Sequence, residues 1–434
     1  MSIAIDYLPR YPDYKASGVD WLGQIPAHWE TQRLKLFAEF VSRGTSPIYV
    51  DESSILVINQ ACVYWSGLNL KNVKYQREEN ISDWRGLLYS GDLLLNSTGT
   101  GTLGRAVIFN KKGRFIADSH ITIIRFKNGQ PYYFYYLIQT PMYQDYIYSS
   151  LVSGSTNQIE LSREGLLATT FIFPPLAEQH AIANFLDRET VKIDELVAEF
   201  ERLLELIMEK RQAAINHSVT RGIYPNVKLC DSGIEWIGEI PESWKIEFAK
   251  WLFKEIDERS TTGEEELLTV SHITGVTPRS EKEVNMFMAE SLENYKICQP
   301  SDLVINTMWA WMGAMGVAFQ EGIVSPSYHV YRSLGDYEPR YLDYMVRLPA
   351  FAKEVTRYSK GVWSSRLRLY PEEFFKLVLP VPPLEEQREI VAYLDAETAK
   401  LDELNKATQE TIQLLQERRS ALITAAVSGQ INVI

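Results

Sequence analysis

The feature that most constrains the fold is an internal repeat, because the 434-residue chain contains two ordered pairs of matching segments. The segment SGVDWLGQIPAHW at 17–29 returns as SGIEWIGEIPESW at 232–244, at an offset of 215 residues. The segment PPLAEQHAIANFLDRETVKIDEL at 174–196 returns as PPLEEQREIVAYLDAETAKLDEL at 382–404, at an offset of 208 residues. Self-similarity of this kind indicates a repeated structural unit. The chain is therefore a tandem duplication of a unit slightly longer than 200 residues.

The segments between the matching blocks have diverged, and they predict a mixed α/β domain in each half. Short β-like runs alternate with turn residues, as in ILVINQ, DLLLNS, RAVIF and ITIIRF, and later in LLTVSHI, DLVINT, GVAFQ and YHVYRS. Each half adds a short helical stretch, near 131–148 and near 339–358. We expect an α+β protein with a pseudo-twofold duplication, in which two domains with curved, largely antiparallel sheets are separated by two long antiparallel helices. The predicted boundaries are 1–172 for the first domain (variable core 31–172), 173–222 for the first helix, 223–380 for the second domain (variable core 246–380) and 381–434 for the second helix.

Each Pro-Pro block opens a long segment that contains neither Gly nor Pro until Gly222 in the first half and Gly429 in the second. Apolar residues recur there at steps of three and four, the spacing of a helix face that pairs with another helix. About 40 residues of helix span about 60 Å, which is more than one globular core requires. Two long helices that pack on each other are therefore favoured over a helical hairpin inside one domain, which stays the alternative. The predicted pairing residues are Ile182, Leu186, Ile193, Leu196, Phe200, Leu203, Ile207, Leu394, Leu401, Leu404, Leu415 and Leu422.

Composition narrows the class of protein. Cys62, Cys230 and Cys298 lie far apart and form no C-x-x-C pair, which favours a reducing compartment without a disulfide framework. No signal-peptide pattern opens the chain, and no apolar run approaches the length of a membrane span, so we expect a cytoplasmic protein with no membrane partner. The net charge of −12 is unevenly distributed, with 6 basic against 9 acidic residues at 173–222, 5 against 9 at 381–434, and 14 against 11 at 31–172.

A G-x-G-x-x-G spacing in LLLNSTGTGTLGRAVIF at 93–109 raises the question of a dinucleotide site. Such a site needs a helix directly after the glycines, because the helix N-terminus holds the phosphates. The continuation RAVIF is instead β-like. The second half reads LVINTMWAWMGAMGVAF, with Trp309 and Trp311 in place of Gly99 and Gly101. The glycines therefore predict a strand–loop–strand element whose loop differs between the two halves.

Other catalytic signatures are missing from the sequence. It contains no G-x-x-x-x-G-K-[ST] loop, no G-x-S-x-G elbow and no metal-ligand spacing among its His residues. The segments FPPL and VPPL lack both the polar residue and the aromatic residue of the Asn/Asp-Pro-Pro-aromatic loop found in DNA amino-methyltransferases. We expect a non-catalytic recognition protein that itself binds no metal and no cofactor. The alternative is an enzyme whose catalytic motifs have drifted.

Two divergent domains, each followed by a long segment opened by PPLAEQ or PPLEEQ, resemble the DNA-specificity subunit of type I restriction–modification enzymes. The resemblance covers the whole chain, and the motif PPLxEQ…I…FLD.ET.KIDEL occurs twice at the spacing of that family. The segment LLLNSTGTGTLGRAVIF also looks like the family's strand–Gly loop–strand, from which the second half departs at Trp309 and Trp311.

The resemblance implies a non-catalytic subunit that binds a bipartite, asymmetric site on double-stranded DNA. Each variable domain would be a target-recognition domain for one half-site, and the two helices would set the half-site spacing and dock two DNA methyltransferase subunits. Those subunits would use S-adenosylmethionine to methylate adenine N6, and two restriction (translocase) subunits with ATP and Mg²⁺ would complete the enzyme. A specificity protein of a methylation-only or phage-exclusion system remains an alternative.

Loops near basic clusters are the candidates for DNA contact. One cluster runs from Arg105 to Lys127 and a second runs from Lys353 to Arg368. Arginine suits guanine edges or phosphates, and Asn and Gln suit adenine. For each single residue, capping of a turn or plain solvation is an equally open interpretation. The candidates are Thr98, Thr100, Arg105, Ser155, Asn157, Gln158, Trp309, Trp311, Trp363, Arg366 and Arg368.

Overall fold

The computed structural model describes residues 8–81, 84–154, 159–281, 291–361 and 367–434. In it, a Pro-Pro pair precedes each of two long helices. The helices are Leu176–Arg221 and Leu384–Val427. Proline suits the start of a helix because its missing N–H has no intrahelical partner there. Gly222 and Gly429 follow the ends of the helices with φ values of 76° and 75°, a left-handed conformation that stops a helix at little steric cost. The two helices thus occupy the segments free of Gly and Pro.

The chain divides into two compact units, Met1–Glu201 with Glu410–Ile434, and Arg202–Gln409. Each unit therefore contains one sheet domain, the start of one long helix and the end of the other. This division cuts both long helices, whereas the predicted boundaries treated each helix as a segment of its own.

The strands of the first unit are β1 (Tyr14–Ala16), β2 (Gln24–Pro26), β3 (Glu30–Arg33), β4 (Ala38–Arg43), β5 (Tyr49–Val50), β6 (Ile55–Ile58), β7 (Val63–Tyr64), β8 (Gly67–Leu68), β9 (Lys74–Gln76), β10 (Leu93–Asn96), β11 (Ala106–Ile108), β12 (Arg114–Ala117), β13 (Ile121–Phe126), β14 (Val152–Ser153), β15 (Glu160–Leu161) and β16 (Thr170–Phe173). Its helices are α1 (Leu34–Phe37), α2 (Pro131–Gln139), α3 (Pro141–Tyr146), α4 (Arg163–Ala168) and the first part of α5 (Leu176–Arg221).

The strands of the second unit are β17 (Leu229–Asp231), β18 (Glu239–Pro241), β19 (Lys245–Phe248), β20 (Phe253–Ile256), β21 (Leu268–Ser271), β22 (Gly275–Pro278), β23 (Lys296–Cys298), β24 (Leu303–Asn306), β25 (Met315–Val317), β26 (Gly322–Val324), β27 (Tyr328–Ser333) and β28 (Val378–Val381). Its helices are α6 (Ala249–Leu252), α7 (Pro339–Val346), α8 (Pro349–Tyr358), α9 (Pro371–Phe374) and the first part of α10 (Leu384–Val427).

One four-stranded antiparallel sheet recurs in both units. Its order is β11-β10-β13-β4 in the first unit and β25-β24-β27-β20 in the second. The central strands β10 and β24 are buried on both faces, since Leu93 and Leu95 face one apolar cluster and Leu94 faces another. The first unit adds the sheet β12-β6-β9-β5, in which β12 and β6 are parallel. The prediction of an α+β fold with largely antiparallel sheets is confirmed.

The glutamine of the PPLxEQ motif fixes the start of each long helix to the domain before it. Gln179 is fully buried; its Nε2 donates to the Pro174 carbonyl at 2.9 Å, and its Oε1 accepts from the Gln130 backbone N–H at 2.9 Å. Gln130 immediately precedes α2, so one side chain joins two helix starts. Gln387 repeats both bonds in the second unit, to Pro382 and Glu338, each at 2.9 Å.

A buried tyrosine holds the opposite end of each long helix. The Tyr133 hydroxyl on α2 donates to the Val427 carbonyl in the last turn of α10 at 3.0 Å. The Tyr341 hydroxyl on α7 donates to the Val219 carbonyl near the end of α5 at 2.9 Å. Burial raises the pKa of both tyrosines far above its ordinary value, so both remain neutral donors. Each domain therefore contacts the helix that follows it and the end of the other helix.

Ion pairs define the direction of helix pairing. In the first unit Arg419 Nε donates to Asp194 Oδ1 at 2.8 Å, and in the second unit Arg211 pairs with Asp402. From Asp194 to Arg211 the chain advances 17 residues, and from Arg419 to Asp402 it steps back 17. The two helices therefore pair antiparallel in one register. Exposed ion pairs of this kind contribute little to the stability of the helix pair, so they show which residues of the two helices face each other but are not the cause of that register.

The predicted pairing residues form a buried row with two exceptions. Ile182, Leu186, Ile193, Ile207, Leu394, Leu401 and Leu422 are buried, and Phe200, Leu203 and Leu415 are half-buried. Leu196 and Leu404 lie outside the row, with 48% and 45% of their surfaces exposed. Along a helix, inward-facing positions follow each other after three or four residues. After Ile193 the next inward-facing residue is Val197, four residues on, so Leu196 faces outward.

Among the described residues, no helix combines the length and the apolar character needed to cross a membrane.

Replacing Gln179 with Leu leaves two polar backbone groups, the Gln130 N–H and the Pro174 carbonyl, without their partners. We expect the free energy of unfolding of the first unit to fall by about 2–4 kcal/mol. Urea denaturation followed by hydrogen exchange of first-unit peptides measures this. The control is Gln413→Leu, at an exposed position on α10. Equal destabilisation by both variants would contradict the role of the Gln179 amide.

Candidate nucleic-acid interface

The glycine-rich loop of the first unit, residues 97–104, connects β10 to β11. Hydrogen bonds from Asn96 N to Arg105 O and from Gly104 N to Asn96 O, both 2.9 Å, close the loop at its base. Gly99 and Gly104 have φ values of 93° and 84°, which other residues rarely adopt. A strand follows the loop, so there is no helix N-terminus to hold a pyrophosphate. The prediction of a strand–loop–strand element is confirmed.

The corresponding loop of the second unit, residues 307–313, is one residue shorter and takes another path. Asn306 N donates to Ala314 O at 3.0 Å, and Gly313, with a φ of 88°, matches Gly104. Trp309 stands where the first unit has Gly99, but its φ is −121°. A positive φ strains a bulky residue, so the backbone instead forms a short 3₁₀ helix, Ala310–Met312.

A hairpin stands beside each of these loops. In the first unit it is β14–β15, where Leu161 N donates to Ser97 O at 2.8 Å. In the second unit Lys360 and Arg368 exchange two backbone hydrogen bonds of 2.9 Å, and Leu369 N donates to Thr307 O at 3.3 Å. The predicted DNA-contact residues Ser155, Asn157, Gln158, Trp363 and Arg366 lie outside the described residues. The structure thus brings the bases of two predicted contact loops together in each unit.

Thr98 and Arg105 are held by neighbours that the sequence did not single out. The Thr98 hydroxyl lies 2.8 Å from His120 Nδ1, and the exposed Thr100 lies two residues further on. Arg105 Nη2 donates to the Gly101 carbonyl at 2.8 Å, and its guanidinium lies 5.6 Å from the centre of the Tyr64 ring. His120 could have been found from the sequence, because it directly precedes the strand that pairs antiparallel with β10.

Three arginines line an open cavity of about 760 Å³ beside the same hairpin, together with Ser153 and Glu160. Arg43 Nη1 lies 3.3 Å from Glu160 Oε2, Arg163 Nε donates to Val41 O at 2.8 Å, and Arg85 donates to Gly44 O at 3.3 Å. These bonds use only part of each guanidinium. No local cluster in the sequence indicates this group, because the three residues come from separate segments.

Arg125 of the first predicted basic cluster, and Arg332 outside both clusters, serve the fold instead. Arg125 Nε and Nη2 donate to Asp92 at 2.7 Å each, and Arg332 holds Asp302 in the same way at 2.9 and 2.8 Å. Both aspartates are 1% exposed, so their charges need these partners.

The exposed side chain of Lys360, at the base of the second-unit hairpin, also has an acidic partner. Lys360 and Lys376 both donate to Glu373, and these bonds hold the pKa of Glu373 below its ordinary value. Arg368, opposite Lys360, is exposed. The cationic surface at this base therefore comes partly from residues that are already paired.

Replacing Gly104 with Ala places a Cβ 2.4 Å from Gln144 Oε1, in a backbone conformation that is already unfavourable for alanine. Gln144 Nε2 donates to the Gly104 and Ile138 carbonyls, so it cannot move without losing these bonds. We expect a loss of about 1–3 kcal/mol in the free energy of unfolding. Gly101→Ala is the control, because its φ is similar but nothing lies within 4 Å of the new Cβ. A thermal shift of the same size in both variants would contradict this packing argument.

Comparison with known proteins bears on this arrangement. Residues 26–199 match the family model of the type I restriction modification DNA specificity domain. The chain is 24% identical over 233 residues to a protein named as the type I restriction enzyme MjaX specificity subunit of Methanocaldococcus jannaschii, covering 52% of each chain. It is 23% identical over 308 residues to the type I restriction enzyme EcoBI specificity subunit of Escherichia coli, covering 65% of this chain and 64% of that one. The chain thus spans between half and two thirds of the length of these relatives.

Two solved structures share the fold over nearly the whole chain. One is a chain from a study of complex assembly and conformational transition of the type I R-M system, with a TM-score of 0.68 and 18% identity, covering 93% of this chain and 98% of that one. The other is the HsdS subunit from Thermoanaerobacter tengcongensis, with a TM-score of 0.56 and 17% identity, covering 94% and 98%. The resemblance to type I restriction–modification DNA-specificity subunits is thus confirmed, because residues 26–199 match the domain model of that family and nearly the whole chain shares its fold with an HsdS subunit.

Proposed function

We propose that this chain is the sequence-specific DNA-binding subunit of a type I restriction–modification system, and that each unit reads one half of a bipartite DNA site. The observation that supports this most is the pairing of two loops at one end of the recurring sheet in each unit, with different residues in the two units. A duplicated frame with different loops suits an asymmetric site, because each loop set can select its own bases.

In the first unit the proposed reading surface has separate groups for phosphates and for bases. Arg43, Arg85 and Arg163 suit phosphate oxygens, which supply most of the sequence-independent affinity. Arg105 suits the two acceptors of a guanine edge, and the Thr98 hydroxyl can donate or accept. The Gly101 carbonyl and the Tyr64 ring hold the Arg105 guanidinium in place, so less side-chain entropy is lost on binding.

The long helices are proposed to set the half-site spacing and to dock two DNA methyltransferase subunits. Their acidic excess is unsuited to phosphates, and their outer faces expose large apolar side chains that suit a protein partner. These exposed side chains are Leu176, Val191, Leu206, Met208 and Leu414. The names of the relatives, which are specificity subunits of type I restriction enzymes, also support a protein assembly.

The chemistry is assigned to these partners, and this chain acts as a non-catalytic subunit. S-adenosylmethionine would be bound by the methyltransferase subunits, which modify adenine, and ATP and Mg²⁺ by two restriction subunits. The absence of nucleotide-binding and methyltransferase motifs in the sequence supports this division of labour.

Exchanging residues 31–172 for the equivalent segment of another family member should change one half-site and leave the other half-site and the spacing intact. The reason is that the loops and hairpin of the first unit all lie within this segment. Sequencing of methylated positions in cells that express the chain with its methyltransferase subunit measures the result. A change in both half-sites would contradict the proposal of two separate readers.

Lengthening both helices by seven residues, after Glu199 in α5 and at the opposite position near Leu414 in α10, should lengthen the spacer between the half-sites and leave both sequences unchanged. Two matched insertions are needed because the helices pair antiparallel, and seven residues keep the same faces in contact. The same methylation sequencing tests this, with an insertion in α5 alone as the control that mispairs the helices. An unchanged spacer after both insertions would show that the helices do not set it.

A further inference from the structure

The two units differ in the character of their candidate surfaces. The variable core of the first unit, 31–172, has 14 basic against 11 acidic residues, and that of the second, 246–380, has 15 against 19. The first loop carries Thr98 and Thr100, with Arg105 directly after it, whereas the second carries Met308, Trp309 and Met312. The second unit therefore offers less positive charge to attract phosphates and fewer polar loop residues to contact bases than the first unit does.

The second loop exposes a compact apolar surface, here named the apolar knob and defined as Met308, Trp309 and Met312. Their exposed fractions are 39%, 50% and 38%. Trp309 stacks on Trp311, with ring centres 6.2 Å apart and planes inclined by 20°. Large apolar side chains that cluster on a surface are unfavourable in water and mark interaction sites.

The apolar knob is rigidly supported. Met308 N donates to Asn306 Oδ1 at 3.2 Å, and Trp311 Nε1 donates to the Met308 carbonyl at 3.1 Å. Thr356 on α8 donates to the Trp311 carbonyl at 3.2 Å, and the side chain of Ala310 between the tryptophans is fully buried. Because the knob is already ordered, little conformational entropy remains to be lost when a ligand covers it.

We propose that the apolar knob contacts the C5-methyl groups of thymines in the second half-site. This inference rests on the proposed function, and it names the base feature that the second unit recognises. In the major groove the thymine methyl is the apolar group on the base edges, and apolar side chains recognise it by contact. The knob lies at the end of β24 in the second unit, and the glycine-rich loop, with Arg105 beside it, lies at the corresponding end of β10 in the first. The two half-sites are thus read by different chemistry, polar in the first and apolar in the second.

The test uses the full chain assembled with its methyltransferase subunits and a duplex that carries the methylated site. Thymines of the half-site that is unaffected by the exchange of 31–172 are replaced one at a time by deoxyuridine, which removes only the methyl group. A thymine is present there, since the modified adenine of each half-site has one opposite it. We expect binding to weaken about threefold to tenfold for at least one of these thymines, the effect of leaving one methyl group unburied.

Trp309→Ser should weaken binding of the thymine duplex and should remove the preference for thymine over uracil. The matched control is Trp251→Ser on α6, where a tryptophan is 64% exposed in the same unit. Trp251 precedes Phe253, which pairs with Ser333 at the end of β27 far from Tyr328 and the loop. This control should retain the wild-type preference.

Three results would overturn the proposal: equal affinity of the wild type for all thymine and uracil duplexes, an unchanged preference in Trp309→Ser, or weaker assembly of Trp309→Ser with methyltransferase subunits in the absence of DNA. The last result would assign the knob to a protein contact. If the wild-type assembly shows no sequence-specific DNA binding at all, the proposed function is refuted instead. Specific binding without a thymine preference refutes the apolar contact alone.

Discussion

The buried amides of Gln179 and Gln387 are the contacts on which the rest of the architecture depends. Each one satisfies a carbonyl just before a long helix and a backbone N–H just before a helix of the adjoining domain. Because a buried amide must satisfy both its donor and its acceptor, the direction of the long helix and the position of the domain are fixed together. Tyr133 and Tyr341 then join each domain to the end of the other helix.

This frame explains which parts of the duplicated unit diverged and which did not. The strands β10 and β24 are buried on both faces, and each is followed by a loop whose base is closed by an asparagine N–H. Smaller residues in these strands would leave cavities, and loss of the arginines that pair with Asp92 and Asp302 would leave buried charges unpaired. Changes in the loops cost little stability. The replacement of Gly99 by Trp309 is such a change, since the backbone took a new path and the strands kept their register.

The sequence alone predicted much of this fold, because its strongest signals are local. Pro-Pro pairs and Gly222 and Gly429 delimit the helices, and β-like runs become β10, β11 and β13. The prediction failed where a choice depended on packing, as at Leu196, which the order of helical steps turns outward. It also missed Arg43, Arg85 and Arg163, since only the folded chain brings their separate segments together. Pairing of the loops with the hairpins is a long-range contact that no spacing in the sequence reveals.

Charge provides the last constraint on how each unit can meet DNA. The helix segments at 173–222 and 381–434 together carry an excess of acidic residues, so their surfaces repel phosphates, which agrees with the proposed role of the helices in binding protein partners. In the first unit Arg43, Arg85 and Arg163 lie beside the loop and hairpin, at the end of β4 away from α1. In the second unit the same end of the sheet offers Arg368 and an apolar surface, while Lys360 is partly neutralised by Glu373. If each unit reads one half-site as proposed, phosphate attraction orients the first unit, and the second depends on contacts made within the groove.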